Sequence, residues 1–311
     1  MASETPLICP SCGSRATDLG EIPEGRSFAG VELETPLPGG HLLQCNDCHL
    51  LWRSPCPDKS VLDALYAAAS GDYWSSDGSI RKDFDLAAQF LSKNVEPGGR
   101  VLDVGCFDGG LLSRLDTAIQ RFGVEINSEA RSRAQERGIS ILGSDLGDIT
   151  ELGREFDAVV AIDVIEHVHD PYRMLADMAA MVRPGGVVLV STGNTDAWSW
   201  RLMRSRYWYC VVPEHISFIN PRWCRAKASS LGLSVENCIR FSHGDPRLRV
   251  RAYELLVNSF YLVLPSLFEF ARRLRHRRGP GRGHKNAAPP LWMSAWDHMF
   301  VVFRKRPGGD K

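Results

Sequence analysis

Five short apolar runs, VLDVG from Val101, FGVEI from Phe122, ISIL from Ile139, FDAVVAID from Phe156 and GVVLVST from Gly186, alternate with amphipathic stretches of helical period. Runs this short, without an in-and-out alternation, suit strands buried on both faces, and the helices between them supply the cover. The pattern predicts an α/β fold with a doubly wound, Rossmann-like parallel sheet. Local signals agree: Asp170 and Pro171 provide an N-cap and first helical residue, Leu175, Met178 and Val182 one apolar face, and RPGG from Arg183 a stop. Asn220-Pro221 opens another helix and Gly232 closes it, while GLSVENCIRF and DHMFVVFRK read as the last two strands.

Upstream of the sheet, Cys9-Pro-Ser-Cys12 and Cys45-Asn-Asp-Cys48 lie 32 residues apart beside turn-forming residues. Two such knuckles can close a thiolate tetrahedron around zinc, and four thiolates leave no open position, so the metal would be structural. The competing reading, two redox pairs, lacks the strand context such pairs follow. Residues 1–57 are therefore expected to form a zinc-ribbon-like segment, 58–95 a helical linker that covers a cofactor, and 96–311 the main domain with an insertion at about 245–292. The remaining cysteines read as small buried apolar residues. Balanced charge, 37 Lys+Arg against 37 Asp+Glu, excludes a chain-wide nucleic-acid field. MASETPLICPSCG has neither a basic start nor an apolar run, so no signal peptide and a cytoplasmic location are expected.

The first strand of the sheet ends in VLDVGCFDGG, with Asp103, Gly105 and Gly109. Phe107 breaks the G-x-G-x-x-G form that a dinucleotide would want. Glu125, closing the second strand, can accept from both ribose hydroxyls, and an acid at Asp103 suits an ammonium group rather than a pyrophosphate. Asp145 follows the third strand, where it can accept from an adenine amine, and Asp163 stands at the mouth of the fourth. The order VLDVGCFDGG, GVEI, GSDL, FDAVVAIDVIEHVHDP and RPGGVVLVSTGN resembles the class I S-adenosylmethionine-dependent methyltransferases, from roughly Val95 to Arg240 and on to Arg306 with the final strand. That resemblance implies S-adenosylmethionine as cofactor, with Asp103, Gly105 and Gly109 bordering its methionine, Glu125 holding its ribose and Ile126 and Asp145 flanking its adenine, and Asp163 is expected to join these cofactor-binding residues. The added four-cysteine segment is similar to the methyltransferases of sugar and polysaccharide biosynthesis. It implies O-methylation of a sugar hydroxyl, free or lipid-linked, in glycan or secondary-metabolite assembly. Sugar C-methylation, RNA methylation and a non-catalytic cofactor-binding adaptor are the alternatives.

Methyl transfer requires alignment of the acceptor and removal of its proton. In Asp163-Val-Ile-Glu166-His167 the spacing puts two carboxylates and an imidazole on one face of a helix, and His215 follows in PEHISFI. His215, Glu166 and His167 are the catalytic candidates, as base or as ligands to Mg or Mn. The set resembles the E-x-x-E-H plus distant His of metal-dependent O-methyltransferases acting on RNA ribose ends and quinone precursors, with Asp163 in place of the first Glu. The plainer alternative is a structural hydrogen-bonded carboxylate–histidine pair. Aromatics at Trp198, Trp200 and 207–209, interleaved with arginines, suit a sugar phosphate or, equally, core packing. In the insertion, an apolar segment from Tyr253 to Phe270 precedes ARRLRHRRGPGRGHK, which carries seven Lys or Arg and no acid. Residues 253–285 are thus expected to touch the inner face of a membrane or a lipid-linked phosphate. RNA is the lesser alternative, and a solvated loop the plain one.

Overall fold

A computed structural model describes residues 7–70, 73–74, 81–152, 156–244, 247–276 and 289–307. Two cores lie on opposite faces of one sheet, and the strand at its centre shows why. That strand sends Val159 and Ala161 to one core and Ala158, Val160 and Ile162 to the other, so it is apolar throughout.

The chain opens with β1 (Ala16–Ile22), β2 (Gly25–Phe28), β3 (Val31–Leu37), β4 (Gly40–Cys45) and β5 (Leu51–Ser54). β1, β4 and β5 form an antiparallel sheet, and β2 and β3 form a separate hairpin. Helices α1 (Lys59–Ala68) and α2 (Lys82–Asn94) lead into β6 (Arg100–Val104), β7 (Gln120–Val124), α3 (Ser128–Glu136), β8 (Ser140–Gly143) and β9 (Phe156–Ile162). There follow α4 (Pro171–Met181), β10 (Val182–Gly193), α5 (Trp198–Met203), β11 (Ser217–Phe218), α6 (Pro221–Ser230) and β12 (Leu233–Phe241). Helices α7 (Leu248–Val263) and α8 (Pro265–His276) precede the closing strand β13 (His298–Lys305).

The large sheet has the order β12-β13-β10-β9-β6-β7-β8. Its strands from β10 to β8 pair in parallel, and β13 runs antiparallel to both neighbours. This is the expected doubly wound α/β fold. Strand order reverses beside β6, the switch point at whose carboxyl end such sheets bind ligands. The caps act as read from the sequence: the Asp170 side chain accepts from Arg173 N, and Asn220 from Arg222 N and Trp223 N. RPGG differs in one respect. α4 already ends at Met181, and residues 183–186 form an irregular start of β10, where pairing with β9 shifts between Val182 and Val187.

A second difference bears on the site. The N-terminal sheet has a fourth strand, β11, which comes from the segment between β10 and α6. Ser217 pairs with Trp52 and Phe218 with Leu51, and Arg53 N donates to Ile216 O at 2.9 Å. Asn220 Nδ2 donates to His49 O at 2.9 Å and Lys227 Nζ to Ser11 O at 3.0 Å. The N-terminal segment is thus stitched to the segment that carries His215.

Candidate active site

A cleft of about 990 Å³ opens over the carboxyl ends of β6, β7 and β9, and its two halves differ in chemistry. In the first half, the backbone turns sharply after β6. Gly105 (φ 72°) and Gly109 (φ 77°) are left-handed, and a Cβ at either would run into Val164 or Ile139. Phe107 also has positive φ (48°), so the departure from the glycine pattern is accommodated at a conformational cost. Both oxygens of buried Glu125 accept backbone hydrogen bonds, from Phe107 N at 2.9 Å and Asn127 N at 2.8 Å, which aims the carboxylate across the loop. Burial raises the Glu125 pKa against the pull of those N–H groups.

Asp103, at the floor, is held up to about 8, chiefly by burial and then by the charge of Glu125, with Arg81 opposing. A carboxyl so placed is short of a cation. Ile126 and Asp145 line the same half, Asp145 exposed and 3.5 Å from Lys59 Nζ. Trp74 stands edge-on to Phe107, 6.0 Å between centroids, at the rim.

The second half is built by residues 163–167, 207–215 and 297–298. No helix carries Asp163, Glu166 and His167: Ile165–His167 is a single 3-10 turn, and Asp163 has φ 52°. The expected three-residue face therefore splits. Asp163 turns to Arg81, whose Nη2 lies 2.7 Å from Asp163 Oδ2 and also pairs with buried Asp83. Burial and the Asp83 charge push the Asp163 pKa well up.

Glu166 and His167 instead meet His215, with donor atoms within 4.8 Å of one another. Glu166 Oε1 accepts from Tyr209 OH, whereas Oε2 is buried with no hydrogen-bond partner. His167 Nδ1 contacts Tyr66 OH at 2.6 Å and Glu214 O at 3.0 Å, and His215 Nδ1 contacts Tyr209 O at 2.9 Å. A carbonyl only accepts, so His215 carries its proton on Nδ1 and presents a bare Nε2. Burial, then His167, pushes the His215 pKa well below its ordinary value.

Sequence reasoning missed Arg81, Tyr66 and the pair Asp297–His298, all of which except Asp297 line the cleft, and it singled out Tyr209 only as an aromatic of the acceptor segment or the core. Only the last pair left a trace, as an acid and a histidine side by side at the start of the final strand. Most of the aromatic segment packs as core: Trp200, Tyr207 and Tyr209 are buried, and only Trp198 of 197–203 is a half-exposed ring.

Away from the cleft, Cys9 Sγ lies 3.7 Å from Cys48 Sγ and Cys12 Sγ 3.4 Å from Cys45 Sγ, too far apart for disulfides. All four sulfurs fall within 4.8 Å of one another. A zinc tetrahedron with Zn–S near 2.3 Å has edges of about 3.8 Å. Asp47 N and Cys48 N both donate to Cys45 Sγ, as they would to a thiolate.

A family profile described as "Methyltransferase domain" matches residues 79–236, just over half of the 311-residue chain. Among curated proteins, a ubiquinone biosynthesis O-methyltransferase of Coxiella burnetii is 29% identical over 198 residues, covering 57% of this chain and 82% of the relative. A protein of the same name from Xanthomonas axonopodis pv. citri is 29% identical over 216 residues, covering 62% and 88%. Among solved structures, magnesium protoporphyrin IX methyltransferase from Synechocystis PCC 6803 with bound SAH superposes with a TM-score of 0.51 at 14% identity, covering 80% of this chain and all of that one. That likeness speaks to the fold.

Proposed function

We propose, for a chain that belongs to the methyltransferase-domain family and is an S-adenosylmethionine-dependent methyltransferase, that it O-methylates a hydroxyl of a small-molecule acceptor seated over Glu166, His167 and His215. The observation that carries the reading is the state of those three side chains. One carboxylate oxygen is buried without a partner, and two imidazoles have their Nδ1 atoms engaged. Such a set fits a divalent cation, and the imidazole pair favours manganese over magnesium. A cation held there would bind an acceptor oxygen and ease loss of its proton. The curated relatives named as O-methyltransferases support oxygen as the nucleophile. They give no support to the sugar acceptor suggested by the cysteine segment. The shared chemistry is a hydroxyl with a second oxygen beside it, on a phenol or on a sugar.

In the other half, Asp103 would take the ammonium of S-adenosylmethionine, Glu125 its ribose hydroxyls, and Ile126 and Asp145 its adenine. The sulfonium supplies an electrophilic methyl group. Arg81, between Asp83 and Asp163, fixes the wall dividing the two halves. The four cysteines would hold a structural zinc. Helices α7 and α8 would seat the protein peripherally on the cytoplasmic face of a membrane. RNA, as acceptor, is the lesser alternative.

The test is methyl transfer from labelled S-adenosylmethionine to catechols and sugar diols, with Mn²⁺, Mg²⁺ or EDTA. An O-methyl product, stimulated by metal and lowered at least about 100-fold by Glu166→Gln or His215→Ala, is expected. An N- or C-methyl product, or turnover indifferent to both substitutions, would overturn the reading.

A further inference from the structure

We propose that His298, oriented by Asp297, is the general base that takes the acceptor's proton. The inference rests on the methyl-transfer reading of the cleft and adds to it the group that does the proton work, which neither His215 nor His167 is built for.

The placement comes from the sheet. His298 is the first residue of β13 and pairs with Gly193, the last residue of β10. On the other side of β10, Asp163 follows β9, and its N–H donates to Ser191 O at 2.9 Å. The two side chains thus face one cleft from strands two apart, about 10 Å at the ordinary strand spacing. Both line the cleft that holds Glu166, His167 and His215.

The hydrogen bonding comes next. His298 Nδ1 is 3.1 Å from Asp297 Oδ1, and both side chains are buried. Asp297 is itself fixed: its Oδ2 accepts from Tyr207 OH at 2.6 Å, and its main-chain oxygen accepts from Asn194 N at 2.6 Å. A carboxylate only accepts, so the imidazole proton sits on Nδ1 and Nε2 offers its lone pair. Among the described residues Nε2 has no hydrogen-bond partner. Tyrosine, aspartate and histidine form the chain that orients a base and stabilises the imidazolium it becomes.

Other histidines of the cleft differ. His215 and His167 contact neutral oxygens through Nδ1, and His169 Nε2 contacts Pro57 O at 2.7 Å. Among the described residues, His298 alone of the cleft histidines has a hydrogen-bonded carboxylate. Burial by itself would lower its pKa, but Asp297, helped by the charges of Asp163 and Glu166, outweighs burial and raises it. His243, 4.5 Å away between centroids, and His215 are the facing groups of opposite effect, and both are held largely neutral by burial. Trp208, Tyr209 and Phe241 complete the wall.

In the step, the acceptor O–H proton passes to His298 Nε2 as the oxygen lone pair forms the O–CH₃ bond. The S–CH₃ bond breaks with its electron pair kept by sulfur, so the sulfonium becomes a thioether. His298, now an imidazolium paired with Asp297, returns the proton to solvent.

The full-length protein labelled with ¹⁵N-histidine and titrated by NMR should show His298 as the Nδ1–H tautomer, with a midpoint above 6.5 that falls in Asp297→Asn. In methyl transfer to the catechol or sugar diol that the wild-type protein uses, His298→Gln should lower kcat about 10²- to 10⁴-fold. Its affinity for S-adenosylmethionine should stay within twofold, and the acidic limb of kcat/KM against pH should vanish. Asp297→Asn should move that limb to lower pH, which a merely structural residue would not do. An Nε2–H tautomer, a midpoint below 6.5, or His298→Gln turnover within threefold of wild type with the limb intact would overturn the proposal. If wild type methylates none of the hydroxyls, the O-methylation reading fails, and the tautomer and midpoint still decide the state of His298.

Discussion

Asp103 and Arg53 are both ionisable residues with buried side chains, and they call for opposite predictions. The raised pKa of Asp103, about 8, means that the free protein holds it protonated at neutrality. Its neutral form favours folding at low pH, and that contribution is lost as pH rises from the unfolded carboxyl value toward 8. An ammonium group bound beside it reverses the preference. Affinity for S-adenosylmethionine should therefore rise about tenfold between pH 6 and 7, with close to one proton released per cofactor in calorimetry across two buffers. Asp103→Asn should flatten that dependence, and a flat profile in wild type would refute the assignment. Arg53 forms no ion pair among the described residues, and only the more distant charge of Glu214 favours its guanidinium. Its guanidinium is buried, its Nε and Nη1 lack partners, and Nη2 reaches only Cys210 O, at 3.4 Å. A buried guanidinium this poorly hydrogen-bonded opposes folding, so Arg53→Met should stabilise the protein, by about 1 kcal/mol or more. A loss of stability would reveal an anionic partner.

Among the elements, β11 decides how the N-terminal segment matters to the site. Two residues cannot hold a strand by themselves; Ser217 and Phe218 are held because β5 offers them an edge. If zinc fixes Cys45 and Cys48, it fixes the turn from β4 into β5, and through β11 the position of His215. Chelation, or Cys45→Ser, should lower Tm by about 10 °C or more and broaden the NMR signals of His215 before those of His298. A protein that keeps its Tm without metal would show the cysteines to be ordinary thiols. This pairing also marks the limit of sequence reading. The strands of the sheet and the caps at Asp170 and Asn220 were legible because each depends on neighbours in the chain. The placement of Asp103, Gly105 and Glu125 at strand ends beside the cleft was legible for the same reason. The split of Asp163 from Glu166 was not, because it depends on an Arg81 about eighty residues away taking one carboxylate. β11 and Asp297–His298 escaped likewise: one borrows an edge from another segment, and the other acquires meaning only when β13 is laid against β10.

For the whole molecule, the insertion between β12 and β13 poses the remaining question. The basic run expected at 271–285 lies from residue 277 onward outside the described residues, but the helices before it are described. α7 and α8 meet at 116°, and no single described helix is long and apolar enough to cross a membrane. Yet Leu248, Leu256 and Val263 are 82%, 70% and 72% exposed, and Phe270 and Leu274 are exposed beyond the bend. Half-exposed Trp198 and Trp296 flank the start of α7 in a groove of about 550 Å³. Apolar surface exposed along both helices demands a cover. Charge points to its nature: residues 247–285 hold ten Lys or Arg against two Glu, in a chain of zero net charge. Leucines, ring edges and arginines together suit the boundary of an anionic bilayer, where each basic residue adds about 1 kcal/mol. The protein should sediment with vesicles containing about a third anionic lipid, and release as salt shortens the Debye length to about 3 Å near 1 M. Leu256→Asp with Phe270→Asp should abolish binding at low salt while leaving Tm unchanged, since neither side chain is packed in a core. Should the face cover itself with a second copy instead, the wild type would sediment as a dimer and ignore vesicles, and the same two substitutions would return a monomer.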